Sequence, residues 1–138
     1  MTTPRKSRPP TGDEFSLTFE EDYLDIDHWP HAWRVESEDI ARGKLMVDLF
    51  KVFLTHQLSL PRSRKTLRVH RDNLHALGGQ MIRLWHENPH LRKRGILRML
   101  LEAIGDDGGP IVHPPLTEAD QRSFDSTCRL LHRFTTLR

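Results

Sequence analysis

The chain has 138 residues, with 21 Lys/Arg, 19 Asp/Glu, nine His and one Cys. This length suits one domain that buries roughly two thirds of its unfolded surface, enough for a core without staples. A lone Cys128 excludes an internal disulfide and a cysteine cluster, which fits a reducing cytoplasm; no apolar run approaches the ~20 residues a bilayer needs, and no signal segment is apparent.

The net charge of +2 hides a split. Residues 1–40 carry four Lys/Arg and ten Asp/Glu, whereas residues 41–138 carry seventeen and nine. A basic body behind an acidic segment points to nucleic-acid contact by the body, or to an internal dock of acid on base. At the start, Arg5, Lys6 and Arg8 sit beside Pro4, Pro9 and Pro10. Residues 1–14 read as a disordered tail, since nothing apolar there supports folding. Residues 15–36 form an acidic, aromatic arm: Phe15, Phe19, Tyr23, Ile26, Trp29 and Trp33 alternate with Glu20, Glu21, Asp22, Asp25 and Asp27. Pro30 interrupts it, so the expectation is an extended or irregular arm with a short strand or turn. Its aromatics are expected to pack on the helical body.

Residues 37–138 read as the helical domain. Ser37 followed by Glu38 and Asp39 predicts a capped helix to about Leu58, with a stripe of Ile40, Gly43, Val47, Phe50, Leu54 and Gln57 widened by Met46, Leu49 and Phe53. Gly43 marks a close crossing. Leu60-Pro61 breaks the chain, and Ser63 caps a second long helix to about His86. Leu67, His70, Leu74, Leu77, Met81, Leu84 and Trp85 share its apolar side, and Gly78-Gly79 marks a tight contact or kink. After Asn88-Pro89 a third helix is expected over 91–104, burying Ile96, Leu97, Leu100, Leu101 and Ile104, with Gly105 past its end. Asp106 to Pro110 reads as a turn. Thr117 and Asp120 resemble a capping box at the start of a last helix, whose stripe is Phe124, Cys128, Leu131 and Phe134. Four principal helices, an N-terminal arm and no sheet pattern make an all-α bundle.

The densest functional signal is the run from Arg62 to Arg71, which holds five basic residues and no acid. Cations at a helix start oppose the helix dipole, so an external anion is the natural counterpart. At 100° per residue, Arg64, Arg68, Arg71 and His75 fall at about 0°, 40°, −20° and 20°, a narrow ridge flanked by Arg62 and Lys65. Guanidinium groups on such a ridge suit phosphates; four or five contacts predict a log–log salt slope of about −4. The plainer alternative is a solvated cationic face without a partner. A second cluster is Arg92, Lys93, Arg94 and Arg98, and a third is Arg122, Arg129 and Arg133. Together the three make a groove if their surfaces converge.

Phe53-Leu54, Ser63-Arg64-Lys65-Thr66-Leu67, Leu74, Leu77 and Gly78 resemble the core-binding (SAM-like) domain of tyrosine recombinases and phage integrases over about residues 44–85. That resemblance implies a helical fold clamping duplex DNA by its backbone, with Arg64, Lys65 and Arg68 on the DNA, in an accessory part in recombination. The catalytic domain does not carry over: the only tyrosine is Tyr23, upstream in the arm. The whole chain also resembles short stand-alone bacterial proteins.

Other chemistry is thin. His28/His31 and His86/His90 lie beside prolines, so no regular metal-ligand face is expected, and no metal, cofactor or small-molecule substrate is assigned. Cys128 has Asp125 and His132 nearby but sits in the apolar stripe, where a thiol acts as a small hydrophobe. Asp106-Asp107-Gly108-Gly109 lacks the oxygen pattern of a calcium loop. Two functional expectations follow. One is a non-enzymatic, double-stranded-DNA-binding module using Arg62, Arg64, Lys65, Arg68, Arg71 and His75. The other is a protein-interaction or regulatory module using Tyr23, Trp29 and Trp33 of the arm. Burial of Trp29 and Trp33 on the body would make the arm core and count against the second.

Overall fold

The structure is a computed structural model that describes residues 17–137. The tail and Phe15 lie outside the described residues. Six α-helices follow in order: α1 (Phe19–Tyr23), α2 (Trp29–Trp33), α3 (Asp39–Leu58), α4 (Arg64–Glu87), α5 (Ile96–Ala103) and α6 (Glu118–Thr136), with a 3₁₀ helix over Pro89–Arg94 before α5. No strand occurs among the described residues; an isolated bridge pairs Gly105 with Gly108. The expected all-α bundle is therefore the fold.

The arm is helical where an extended chain was expected. Thr18 Oγ1 accepts from Glu21 N at 3.1 Å, and Glu21 Oε1 accepts from Thr18 N at 2.9 Å. This reciprocal box satisfies two otherwise orphan donors and starts α1. Pro30 opens α2 instead of interrupting the arm. Within the first turn its missing N–H has no partner to lose.

Ser37 does not cap α3: its hydroxyl reaches Glu38 Oε1 at 3.3 Å. The work passes to Asp39, whose Oδ2 accepts from Val35 N at 2.8 Å and Glu36 N at 3.0 Å. Ser63, by contrast, caps α4 as expected, its Oγ accepting from Thr66 N at 3.1 Å. The third predicted helix is divided. Gly95 adopts φ +79°, a conformation costly for side-chain-bearing residues, and separates the 3₁₀ turns from α5. Met99 joins the buried set there, while Leu101 stays exposed. Thr117 caps α6 by accepting from Asp120 N at 3.1 Å, one half of the anticipated box. The Asp106–Gly108 segment is a turn, closed by Gly105 N to Gly108 O at 2.9 Å.

Helices α3 and α4 form the centre, with α2 across both, α5 against both and α6 along α4. Phe50, Phe53, Leu54, Leu74, Leu77, Leu100, Phe124 and Leu131 are fully buried. Each such side chain contributes about 2 kcal/mol through removal from water. The two glycine expectations are met by the arm. A side chain at Gly43 would meet Pro30 Cβ at 2.7 Å, and one at Gly78 would overlap the six-membered ring of Trp33. Thus Gly78 marks a tight contact with α2.

Candidate nucleic-acid interface

The basic ridge forms because α4 begins at Ser63 and keeps helical phase through His75. Arg62, Arg64, Lys65 and Arg68 are exposed, and Arg71 is half-buried. The guanidinium of Arg64 lies 4.8 Å from the centre of the Phe19 ring, and that of Arg68 lies 5.2 Å from it. Arg71 Nε donates to Tyr23 O at 3.0 Å, Nη2 donates to Asp25 O at 3.3 Å, and the group sits 5.4 Å over Trp29. The ring of His75 lies 5.0 Å from Trp29 and 5.9 Å from Trp33. Desolvation of that ring, then nearby Arg71, push its pKa down.

The arm thus lies against part of the ridge. Arg71 is half-buried under the arm, whereas Arg64 and Arg68 carry the Phe19 ring, and His75 packs on Trp29 and Trp33, while all three stay exposed. The dock is only partly one of acid on base. The arm meets the ridge through aromatic faces and carbonyl oxygens, and no arm carboxylate pairs with Arg64, Arg68 or Arg71 among the described residues. Ion pairs from arm to body lie elsewhere: Asp27–Lys51 at 2.6 Å and Glu36–Arg42 at 3.2 Å.

The arm's aromatics are not surface anchors. Tyr23, Trp29 and Trp33 are 1%, 3% and 7% exposed. Tyr23 Oη donates to Leu54 O at 3.2 Å, and Trp33 Nε1 donates to His75 O at 2.9 Å. Burial, opposed by Arg71, raises the Tyr23 pKa. These three residues are core, which removes them as partner-binding contacts.

Members of the other two basic clusters are already engaged within the fold. Arg94 is paired with Glu102 at 2.6 Å, and Arg92 Nε donates to Trp85 O at 2.9 Å while stacking on its ring. Arg122 is paired with Glu118 at 3.0 Å. Helix α6 docks on α4 through Thr127 Oγ1, 2.8 Å from His70 Nδ1 and 2.9 Å from Asn73 Nδ2. By helical phase, His70 and Asn73 lie about 120–180° around α4 from Arg64. The arm and α6 therefore dock on different flanks of α4.

Of the sequence's histidines, His86 finds a buried partner, its Nε2 lying 2.9 Å from Asp39 Oδ2. Glu36, Asp39 and His86 bring ligand atoms within 4.8 Å of one another. The cation among them is Arg42, whose Nη1 is 2.6 Å from Asp39 and 3.2 Å from Glu36. Burial pushes the Asp39 carboxyl pKa up, but the N–H groups of Glu36 and Val35, with His86 and Arg42, outweigh it and hold the pKa at about 2. Sequence reasoning took Asp39 as a first-turn acid only. Its partner lies 47 residues away and left no local pattern. Cys128 is buried, and desolvation followed by Asp125 pushes its thiol up to about 12. It packs as a small hydrophobe.

A second concavity was not anticipated. A cleft of about 630 Å³ runs along α4 between α2 and the segment 112–113, lined by Trp33, His75, Gln80, Ile82, His86 and His113 among others. No helix among the described residues is long and apolar enough to cross a membrane. No protein-family model matches the chain, and no curated protein or solved structure is detectably similar to it.

Proposed function

We propose that this protein is a non-enzymatic module that grips duplex DNA through phosphates, with Arg62, Arg64, Lys65 and Arg68 as the contacts. One observation carries the reading: these four cations are exposed on the opening turns of α4 and, for Arg62, just before its cap, and none is paired with a carboxylate among the described residues. Gathering like charges at a helix N-terminus is unfavourable unless an anion faces them. The sequence pattern over residues 44–85, read as resembling the core-binding domain of tyrosine recombinases, would put Arg64, Lys65 and Arg68 on the DNA and give the module an accessory part in recombination. Arg71 is left out of the contact set because its guanidinium donates to Tyr23 O and Asp25 O, and His75 because its ring packs against Trp29 and Trp33. Base reading is weak in this scheme, since phosphate contacts position without specifying sequence.

Fluorescence anisotropy with a duplex of about 25 base pairs, titrated across salt, tests it. Three or four phosphate contacts predict a log–log slope of about −3. Arg64→Glu with Arg68→Glu should abolish binding while circular dichroism stays helical. Absence of binding at low salt, or full binding by the folded double variant, would refute the reading. The interaction-module reading has no comparable support, because its anchors are buried.

A further inference from the structure

Helix α6 is held on α4 by a chain of hydrogen bonds that ends on a titratable ring. Asn73 Nδ2 faces Ser123 O at 3.1 Å, and a carbonyl only accepts, so the nitrogen end of this amide points at α6. The same Nδ2 therefore donates to Thr127 Oγ1 at 2.9 Å. Thr127 is 1% exposed, and the other partner of its hydroxyl is His70 Nδ1 at 2.8 Å. The hydroxyl proton is used only when it points at Nδ1. His70 Nδ1 is thus assigned as the acceptor, and the neutral ring carries its hydrogen on Nε2. Donation runs one way, from Asn73 through Thr127 to His70.

A proton arriving at Nδ1 reverses the last bond. Nδ1–H then points at Oγ1, and the hydroxyl hydrogen must turn away. No other acceptor stands in hydrogen-bonding position for it among the described residues. Leaving a buried hydroxyl proton unmatched is costly. The surroundings do not compensate the charge either. His70 is 7% exposed, and α3 faces it with the Phe53 ring at 6.5 Å. The charge acting on it is Arg62, from the turn before α4, which has the same sign as the protonated ring. No carboxylate pairs with His70 among the described residues. His56 of α3 joins the same aromatic group through Phe134, whose ring lies 5.2 Å from His56 and 5.6 Å from Phe53. On α6, His132 and Asp125 lie about 140° and 160° around from Thr127, and Asp120 shares its face about 10 Å along the axis. On α4, Arg71 and Asp72 lie about 100° and 160° around from His70. Burial, then Arg62, push the His70 pKa down.

We propose that His70 is a proton-operated catch between α4 and α6: proton uptake at Nδ1 releases α6 and uncovers its inner face. The unfolded or released ring takes the proton first as pH falls, so docking is complete above the ordinary histidine value of 6.5 and weakens below it. The proposal does not rest on DNA binding. Cys128, beside Thr127 in the sequence, is the chain's one cysteine and is buried, so its exposure reports release of α6.

Labelling of Cys128 in the full-length protein by a pyridyl disulfide tests this, with each rate divided by that of the urea-unfolded chain at the same pH. As pH falls below 6.5, the divided rate should rise by up to about tenfold per pH unit, the limit for one proton. Backbone amides of α3 should keep their protection from hydrogen exchange over the same range. His70→Asn places a non-titrating Oδ1 near the position of Nδ1, so the rise should flatten to less than about twofold per pH unit, whatever the basal rate. Nitrogen NMR of the wild-type ring should show a neutral form with hydrogen on Nε2 and a titration below 6.5. A ring with hydrogen on Nδ1, or one titrating at or above 6.5, overturns the proposal even if His70→Asn does not fold. So does a flat labelling profile, an undiminished rise in folded His70→Asn, or loss of α3 protection in step with Cys128.

Discussion

Asp39 shows how one side chain ties distant segments together. It is fully buried, accepts two backbone N–H groups before α3, and binds Arg42 and His86. Its pKa is held at about 2, below the ordinary carboxyl value of 3.8. The sign follows from proton uptake: the unfolded chain binds the proton first as pH falls. Stability from this group is thus complete above about pH 4 and is lost as pH falls through about 2. The shift corresponds to about 2 kcal/mol. Asp39→Asn should cost about 3 kcal/mol at neutral pH, since Arg42 and His86 lose a buried partner. It should also flatten the acid limb between pH 4 and 2, and urea unfolding at several pH values reads both effects. An Asn variant with the wild-type acid limb would show that another carboxylate controls it.

At the level of elements, α2 and α4 meet through a residue that has no side chain. Gly78 lies in the middle of α4, where Ala would normally gain about 1 kcal/mol in helix propensity. The Trp33 ring occupies the space that an added Cβ would need. Overpacking of this kind costs about 1–3 kcal/mol, so Gly78→Ala should destabilise despite the propensity gain. A raised thermal midpoint would mean Trp33 is not seated there. The long helices were legible because their stripes and the Ser63 cap are local signals within one element. The paired glycines also signalled close contact, though not with which residue. The start of α3 was misread because Ser37 matched a local cap pattern, whereas Asp39 prevailed through Arg42 and His86. The 91–104 segment was misread because a positive φ at Gly95 is invisible to apolar spacing. Helical phase placed the basic ridge correctly on one face of α4. It did not reveal that Phe19 and Trp29 would lie against that face, since contacts across 45 or so residues leave no periodic trace.

Across the whole molecule, the division into arm and helical domain seen in the charge pattern is not a division of the core. Tyr23, Ile26, Trp29 and Trp33 belong to the same buried cluster as Phe50, Leu77 and Leu100. The acidic half of the chain is attached chiefly by burying aromatics against a cationic helix, and Arg71 fastens it through two backbone carbonyls. At about 2 kcal/mol for each large buried side chain, these four contribute on the order of 8 kcal/mol. Typical domains are stable by only about 5–15 kcal/mol in total. Removal of residues 1–36 should therefore abolish cooperative unfolding, leaving at most a fluctuating helical state. Calorimetry and near-ultraviolet circular dichroism would measure this, with far-ultraviolet signal expected to persist in part. A truncated chain that melts cooperatively would mean that α3 to α6 close a core without the arm. In that case the arm would be a detachable cover on the ridge, and its loss should strengthen DNA binding by exposing Arg71.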